Sequence, residues 1–290
     1  MKISLLGVNI NAQTKIQILG QIANLLNNNR PIFITTPYSE MIVRSQKDKE
    51  FRDILNSADF ALPDGIGILW AARYSLLATH YSLLNVWYLI VSLASIIFYP
   101  KYVHSPIPER ISGSDFIWDL ARLAADRGYS IFLLGGFDDT PALAAQKLKS
   151  KFPNLKIAGI SAELSFPRRR ESSSRIENNS GSPRPESGMT QKIINQINSS
   201  SADFLFVALG PVVQEKWIYE NLPNLRCRLA IGLGGTFDYL TGKRLPAPQI
   251  WANLGLEWLW RLLTQPWRLL RISRGVLGLI WYAFKGKMGN

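Results

Sequence analysis

The sequence predicts an α/β fold: a parallel-sheet core followed by a basic, Trp-rich helical C-terminal appendage. Three observations predict it. Short apolar runs recur along the chain, each closed by turn residues; helix-like stretches separate them; and the composition changes after Trp251. Buried β-branched runs alternating with amphipathic helices are the pattern of a parallel sheet covered on both faces.

Taken in order, the predicted strands are "PIFITTP" (31–37), "DFALPDG" (59–65), "YSIFLLGG" (129–136), "LKIAGI" (155–160), "DFLFVALGP" (203–211) and "CRLAIGLGG" (227–235). The helix-like stretches are "SEMIVRSQKDKEFRDILNSA" after the first strand, "SDFIWDLARLAADRG" before the third and "DTPALAAQKLKSKF" after it. In open sheets of this kind the loops at the carboxyl ends of the strands form the ligand crevice. Thr36, Asp64, Gly135, Gly136, Gly210, Gly234 and Gly235 all fall at such ends. Any one of them is ordinary turn chemistry; together they point to one shared site.

Two segments interrupt residues 1–250. Residues 76–100 contain no Asp, Glu, Lys or Arg, a stretch long enough for a membrane span. A single crossing would put Thr36 and Asp64 on the opposite side from every later strand, so a monotopic or re-entrant hairpin touching one leaflet is the expectation. The alternative is an apolar helix packed on the protein body. Residues 166–188, "FPRRRESSSRIENNSGSPRPESG", hold almost nothing to bury and read as a disordered loop.

From Trp251 to Asn290 the chain reads as an amphipathic appendage. No acidic residue follows Glu257, and arginines alternate with tryptophans. On a helical wheel beginning after Pro266, Leu269, Ile272, Val276 and Ile280 share one face, with Arg271 and Arg274 on the other side. Trp267, Arg268, Arg271 and Arg274 are therefore the expected contacts to an anionic membrane surface. Basic–aromatic interleaving also occurs in single-strand nucleic-acid binders, but the aliphatic content argues against a nucleic-acid partner.

The formal net charge of +12 over 290 residues calls for a polyanionic partner. A single cysteine, Cys227, excludes an internal disulfide and fits a reducing compartment. His80 and His104 stand away from the glycine motifs, which argues against a zinc site or a histidine-based triad. The first residues are too weakly apolar for a signal peptide, so a cytosolic origin is expected. No D-x-D, no phosphate-loop signature and no clean G-x-G-x-x-G opens a helix. What remains is a lone acid at a strand end, a threonine on an earlier strand end, glycine turns, and Arg and Gln nearby. Backbone N–H groups and arginine can hold a diphosphate, and a carboxylate against a hydroxyl can act as general base. Those parts fit transfer of a group from an activated phosphate donor to an alcohol.

The segments "TTPYSEMIVRSQKDKEFRDILNSADFALPDGIGILWAAR", "RISGSDF", "IFLLGG", "FLFVALGPVVQEKWI" and "AIGLGGTFDYLTGKRLPAPQIWANLGLEWLWRLL" resemble the WecG/TagA/CpsF family of glycosyltransferases (family 26). The resemblance covers most of residues 1–75 and 108–272. It implies a Rossmann-like enzyme, peripheral or monotopic on the cytoplasmic face of the membrane, inverting and metal-independent, with no cofactor. The implied donor is a UDP-sugar, N-acetylmannosamine or a derivative. The implied acceptor is a polyprenyl-diphosphate-linked sugar in cell-surface polysaccharide synthesis, as in teichoic acid. By resemblance Asp64 is the general base and Thr36 its catalytic neighbour, while Arg110, Gln214 and Asp238 serve nucleotide-sugar binding, with Tyr38, Gly135 and Gly136 alongside.

Simpler roles stand beside these. Asp64 also fits a helix cap, Arg110 a pair with Glu109 or Asp115, Asp238 a cap after Phe237, and Gln214 or Glu215 a cap at a helix start. Three positions depart from the family pattern: Tyr38 replaces an asparagine, and Val212-Val213 replaces a proline–lysine pair. They mark the alternative of a non-catalytic membrane-associated binder of sugar nucleotide or lipid on the same scaffold.

Overall fold

The structure, a computed structural model, describes residues 1–28, 30–76, 82–164, 187–245, 247–248, 251, 257–265 and 269–288. It opens with a hairpin of β1 (Lys2–Leu5) and β2 (Val8–Asn11), antiparallel and separate from the main sheet. Leu6 and Gly7, at φ 51° and 80°, make its two-residue turn. Helix α1 (Lys15–Leu25) follows, its first turn closed reciprocally by Thr14 and Gln17.

The remaining strands form a six-stranded, all-parallel sheet: β3 (Ile32–Thr35), β4 (Phe60–Ala61), β5 (Ser130–Gly135), β6 (Lys156–Ser161), β7 (Phe204–Ala208) and β8 (Leu229–Gly232). Their spatial order is β4-β3-β8-β7-β5-β6. All six runs read from the sequence are strands of this sheet. The two strands made last, β7 and β8, enter between the β3–β4 pair and the β5–β6 pair. Loops far apart in sequence thereby meet at one end of the sheet.

Strand residues alternate between two cores, as the two-residue period of a strand requires. Ile32, Ile34, Ile131, Leu133, Phe204, Phe206, Leu229 and Ile231 face one side. That side is covered by α1, α6 (Gly113–Arg127) and α7 (Thr140–Lys151). Phe33, Phe132, Leu134, Leu205, Val207 and Ala230 face the other. There α3 (Lys49–Ser57), α8 (Ser187–Ser199) and α9 (Val213–Asn221) pack. Lys216 fastens α9 to α3 through Glu50 at 2.5 Å and Asp48 at 3.4 Å.

The stretch after β3 is two helices, not one. Helix α2 (Ser39–Ser45) ends before Asp48, whose carboxylate accepts from the Phe51 N–H at 2.9 Å and restarts the chain as α3. Helix α4 (Ile66–Ser75) follows β4, and α10 (Thr236–Leu240) follows β8.

A third core gathers the hairpin, α2, α4 and two later helices, α5 (Ser82–Phe98) and the C-terminal α12 (Leu269–Met288); a short α11 (Glu257–Thr264) precedes the latter. Within segment 76–100, Ser82–Phe98 is one helix packed on α4 and on the Pro100–Val103 turn, the packed helix offered as the alternative to a hairpin, and residues 77–81 lie outside the described residues. Among the described residues no helix is long and apolar enough to cross a membrane. Of the loop expected at 166–188, residues 166–186 lie outside the described residues, and Ser187 and Gly188 begin α8.

Helix α12 turns a face of small residues and Leu279 inward. Gly275, Leu279 and Ala283 are its buried positions, whereas Leu269, Leu270, Val276, Leu277 and Trp281 are exposed. A Cβ at Gly275 would lie 3.3 Å from the Glu40 backbone nitrogen, and one at Gly278 would lie 2.9 Å from a Val43 methyl. The two glycines let α12 approach α2 at backbone distance, so they set its rotation.

Candidate active site

The carboxyl ends of β4, β3, β8, β7 and β5 stand side by side, and hydrogen bonds tie their loops together. The Leu62 N–H donates to Thr35 O at 2.8 Å, and the Asp64 N–H donates to Pro37 O at 3.0 Å. The loop carrying Asp64 is thereby laid along the loop carrying Thr36 and Tyr38. From the far side the Ile111 N–H donates to Pro63 O at 2.9 Å. That bond places the backbone of Arg110 beside the same loop.

Asp64 is half-buried, two residues before α4 begins, with Gly65 between them at φ 104°. Thr36 is buried, and its hydroxyl donates to Gly232 O at the end of β8, 3.2 Å away. The N-terminus of α6 closes on the same threonine: a Cβ at Gly113 would lie 3.5 Å from its methyl. Asp64, Thr36 and the β8 turn therefore form one contiguous wall. Tyr38 precedes α2 and donates its hydroxyl to Glu40 at 3.2 Å. Arg110 stands 3.9 Å from Asp115, which also accepts from the Ser112 hydroxyl at 2.7 Å.

Gln214 links the β7 and β8 turns. Its carbonyl oxygen accepts from the Gly234 N–H at 2.8 Å, and its amide donates to Glu215 at 2.7 Å. The other Glu215 oxygen accepts from the Val212 N–H at 2.6 Å. Val212 lies at φ 72°, a left-handed backbone that strains a β-branched residue. Glu215 is completely buried, and burial pushes its carboxyl up to about 7, the three hydrogen bonds opposing the shift only in part. The sequence offered it only as a helix cap; its burial beneath Gly232, where a Cβ would lie 2.9 Å from its oxygen, has no local signal.

Asp238 is buried on α10 and paired with Arg244 at 3.0 Å, while the Arg244 N–H returns to Asp238 O at 3.0 Å. The neighbouring Lys243 reaches the start of α7, at 2.5 Å from Asp139 and 2.9 Å from the Thr140 hydroxyl. That hydrogen bond holds the Asp139 carboxyl below its usual range. Neither cation was singled out in the sequence, although "TGKRLP" places both just after the glycine turn. Gly135, at φ 92°, lets β5 run against β7: a Cβ there would lie 2.6 Å from Ala208 O. Gly136 then donates its N–H to that same oxygen at 3.0 Å.

The structure thus brings Asp64, Thr36, Tyr38, Arg110, Gln214, Asp238, Gly135 and Gly136 to one end of the sheet. Arg274 is exposed on α12, Arg271 belongs to the same helix, and Trp267 and Arg268 lie outside the described residues. Among the described residues no group of three or more His, Cys, Asp or Glu side chains is placed to hold a metal ion. The chemistry open to the site is a half-buried carboxylate beside strand-end amides, with Arg and Lys side chains around it.

The model of the glycosyl transferase WecG/TagA/CpsF family matches residues 3–83 and 78–290. An N-acetylglucosaminyldiphosphoundecaprenol N-acetyl-beta-D-mannosaminyltransferase of Bacillus subtilis (strain 168) is 29% identical over 242 residues, which are 82% of this chain and 74% of that one. A protein of the same name from Bacillus spizizenii (strain ATCC 23059 / NRRL B-14472 / W23) is 27% identical over 258 residues, 88% of this chain and 81% of its own.

Proposed function

The chain belongs to the WecG/TagA/CpsF family of glycosyl transferases, and from that premise we propose that it moves an N-acetylmannosaminyl group from a UDP-sugar to a polyprenyl-diphosphate-linked N-acetylglucosamine. The acceptor and the transferred sugar are those in the names of the two relatives. Both relatives are named as transferases, which disfavours a non-catalytic binder on this scaffold.

The observation that carries the assignment of roles is the wall formed by Asp64, Thr36 and the β8 turn. The acceptor hydroxyl sits against Asp64, whose carboxylate takes its proton as the oxygen attacks the anomeric carbon of the donor. The new C–O bond forms on the face opposite the diphosphate. The old bond breaks, UDP leaves with the electron pair, and the configuration inverts. Arg110 and the glycine turns hold the diphosphate, and Gln214 fixes the Gly234 turn from which N–H groups reach it. Thr36 positions the wall through Gly232. The protein works at the cytoplasmic membrane surface, where the exposed cations of α12 meet anionic lipid.

The test is transfer by purified protein to a short-chain N-acetylglucosamine diphosphate lipid, offered a panel of UDP-sugars in EDTA. Turnover of UDP-N-acetylmannosamine, lost in Asp64→Asn, is the expected result. Undiminished turnover in Asp64→Asn would remove the base from this assignment, and turnover only on adding a divalent cation would remove the metal-independent step.

A further inference from the structure

Helix α5 carries no charged residue along its 17 positions. Its inward side is accounted for. Leu89, Leu93 and Ile96 join the third core with Trp70 and Tyr74 of α4 and Leu279 and Ala283 of α12, and the Ser92 hydroxyl accepts from the Trp70 indole at 3.0 Å. The outward side is unaccounted for: Trp87 is 62% exposed, Ile90 56% and Phe98 83%, with Val91 and Ile97 between them. A row of large apolar side chains facing water marks an interaction surface.

Three features identify what covers it. At about 25 Å for 17 residues the helix is too short to span a bilayer, and its packing on α4, on α12 and on the turn beyond it lays it along the body. Aromatic rings stand toward both ends, Trp87 and Tyr88 at one and Phe98 and Tyr99 at the other, with exposed Lys101 just beyond. The adjoining helix α12 exposes Leu270, Leu277 and Trp281 among Arg274 and Lys285. A second copy of the chain on this face would bring two acid-free, basic tails together, whereas an anionic bilayer complements them.

We propose that the outward face of α5 is a bilayer-contacting surface, which acts with α12 to seat α4, and Asp64 before it, at headgroup level. The proposal rests on the polyprenyl-linked acceptor, whose diphosphate lies at that level because its chain lies in the membrane.

The experiment is co-sedimentation of the full chain with phosphatidylcholine vesicles, with and without phosphatidylglycerol. Trp87→Glu/Ile90→Glu is expected to weaken binding to both vesicle types by about tenfold or more. Trp87→Ala/Ile90→Ala, which adds no charge, is expected to show a smaller loss, and circular dichroism checks that both variants fold. Transfer to a water-soluble acceptor should stay at the wild-type rate in both. Wild-type vesicle binding by both variants would overturn the proposal. So would a lipid-free dimer that the Glu pair dissociates while vesicle binding is unchanged. Absence of transfer by the wild-type protein would count against the reaction, and the vesicle result would still decide the face.

Discussion

The loops after β4 and β7 each bring a carboxylate to the same end of the sheet, in opposite circumstances. Asp64 is half-open, on a loop held by backbone bonds to Pro37 and Ile111. Glu215 is wholly buried, and its two oxygens are occupied by Val212 and Gln214. The first is half-exposed at a strand end, where it can meet a substrate. The second is committed to holding a strained turn and, through Gln214, the Gly234 amide. In the proposed reaction one strand end supplies the base, and its neighbour supplies the rigidity that makes a base useful.

The largest expected effect separates the two directly. Asp64→Asn should lower kcat by about 10²–10⁴-fold, the range for loss of a general base, while the melting temperature stays close to wild type. A stability loss matching the activity loss would erase the distinction. Glu215 should show the reverse, through pH. Its carboxyl lies at about 7 in the fold against an ordinary 4.5, so the folded state binds the proton more tightly. Its contribution is fully present below pH 4.5, declines as pH rises to 7 and is gone above that, a loss of about 3 kcal/mol. Denaturant unfolding across that window should show the decline, and Glu215→Gln should flatten it.

A smaller effect tests whether the two regions are joined. Thr36→Val removes the bond to Gly232 O and should lower stability by about 1 kcal/mol. It should also lower kcat more than it raises KM, because the hydroxyl positions the wall and does not grip the donor. The smallest concerns Cys227, in the core beneath the β7 side. Burial pushes its thiol up to about 12, so reaction with a disulfide reagent at pH 8 should be negligible until the protein unfolds.

What was legible in the sequence follows the physics of each element. The six strands were, because strands buried on both faces are continuous apolar runs, and so were the strand-end positions of Asp64, Thr36 and the glycine pairs. The opening hairpin was not: its strands have four residues each, and Leu6-Gly7 is a weak turn signal. The break between α2 and α3 was hidden because Asp48, its cap, sits within a run of charges. Glu215 was missed because burial of a carboxylate depends on Gly232, which approaches from another strand. The face of α12 that meets the body was not legible because a wheel weighs side chains, and its contact with α2 is made by Gly275 and Gly278, which have none.

The contact of α12 with α4 has a consequence for the order of synthesis. Leu279 lies 3.4 Å from where a Cβ on Gly67 would be, two residues into α4. The ribosome finishes the Asp64 loop long before it makes the helix that buttresses it. A nascent chain therefore carries Asp64, Thr36 and the glycine turns long before α12 braces them. The site is braced only once α12 has emerged and reached back to α4.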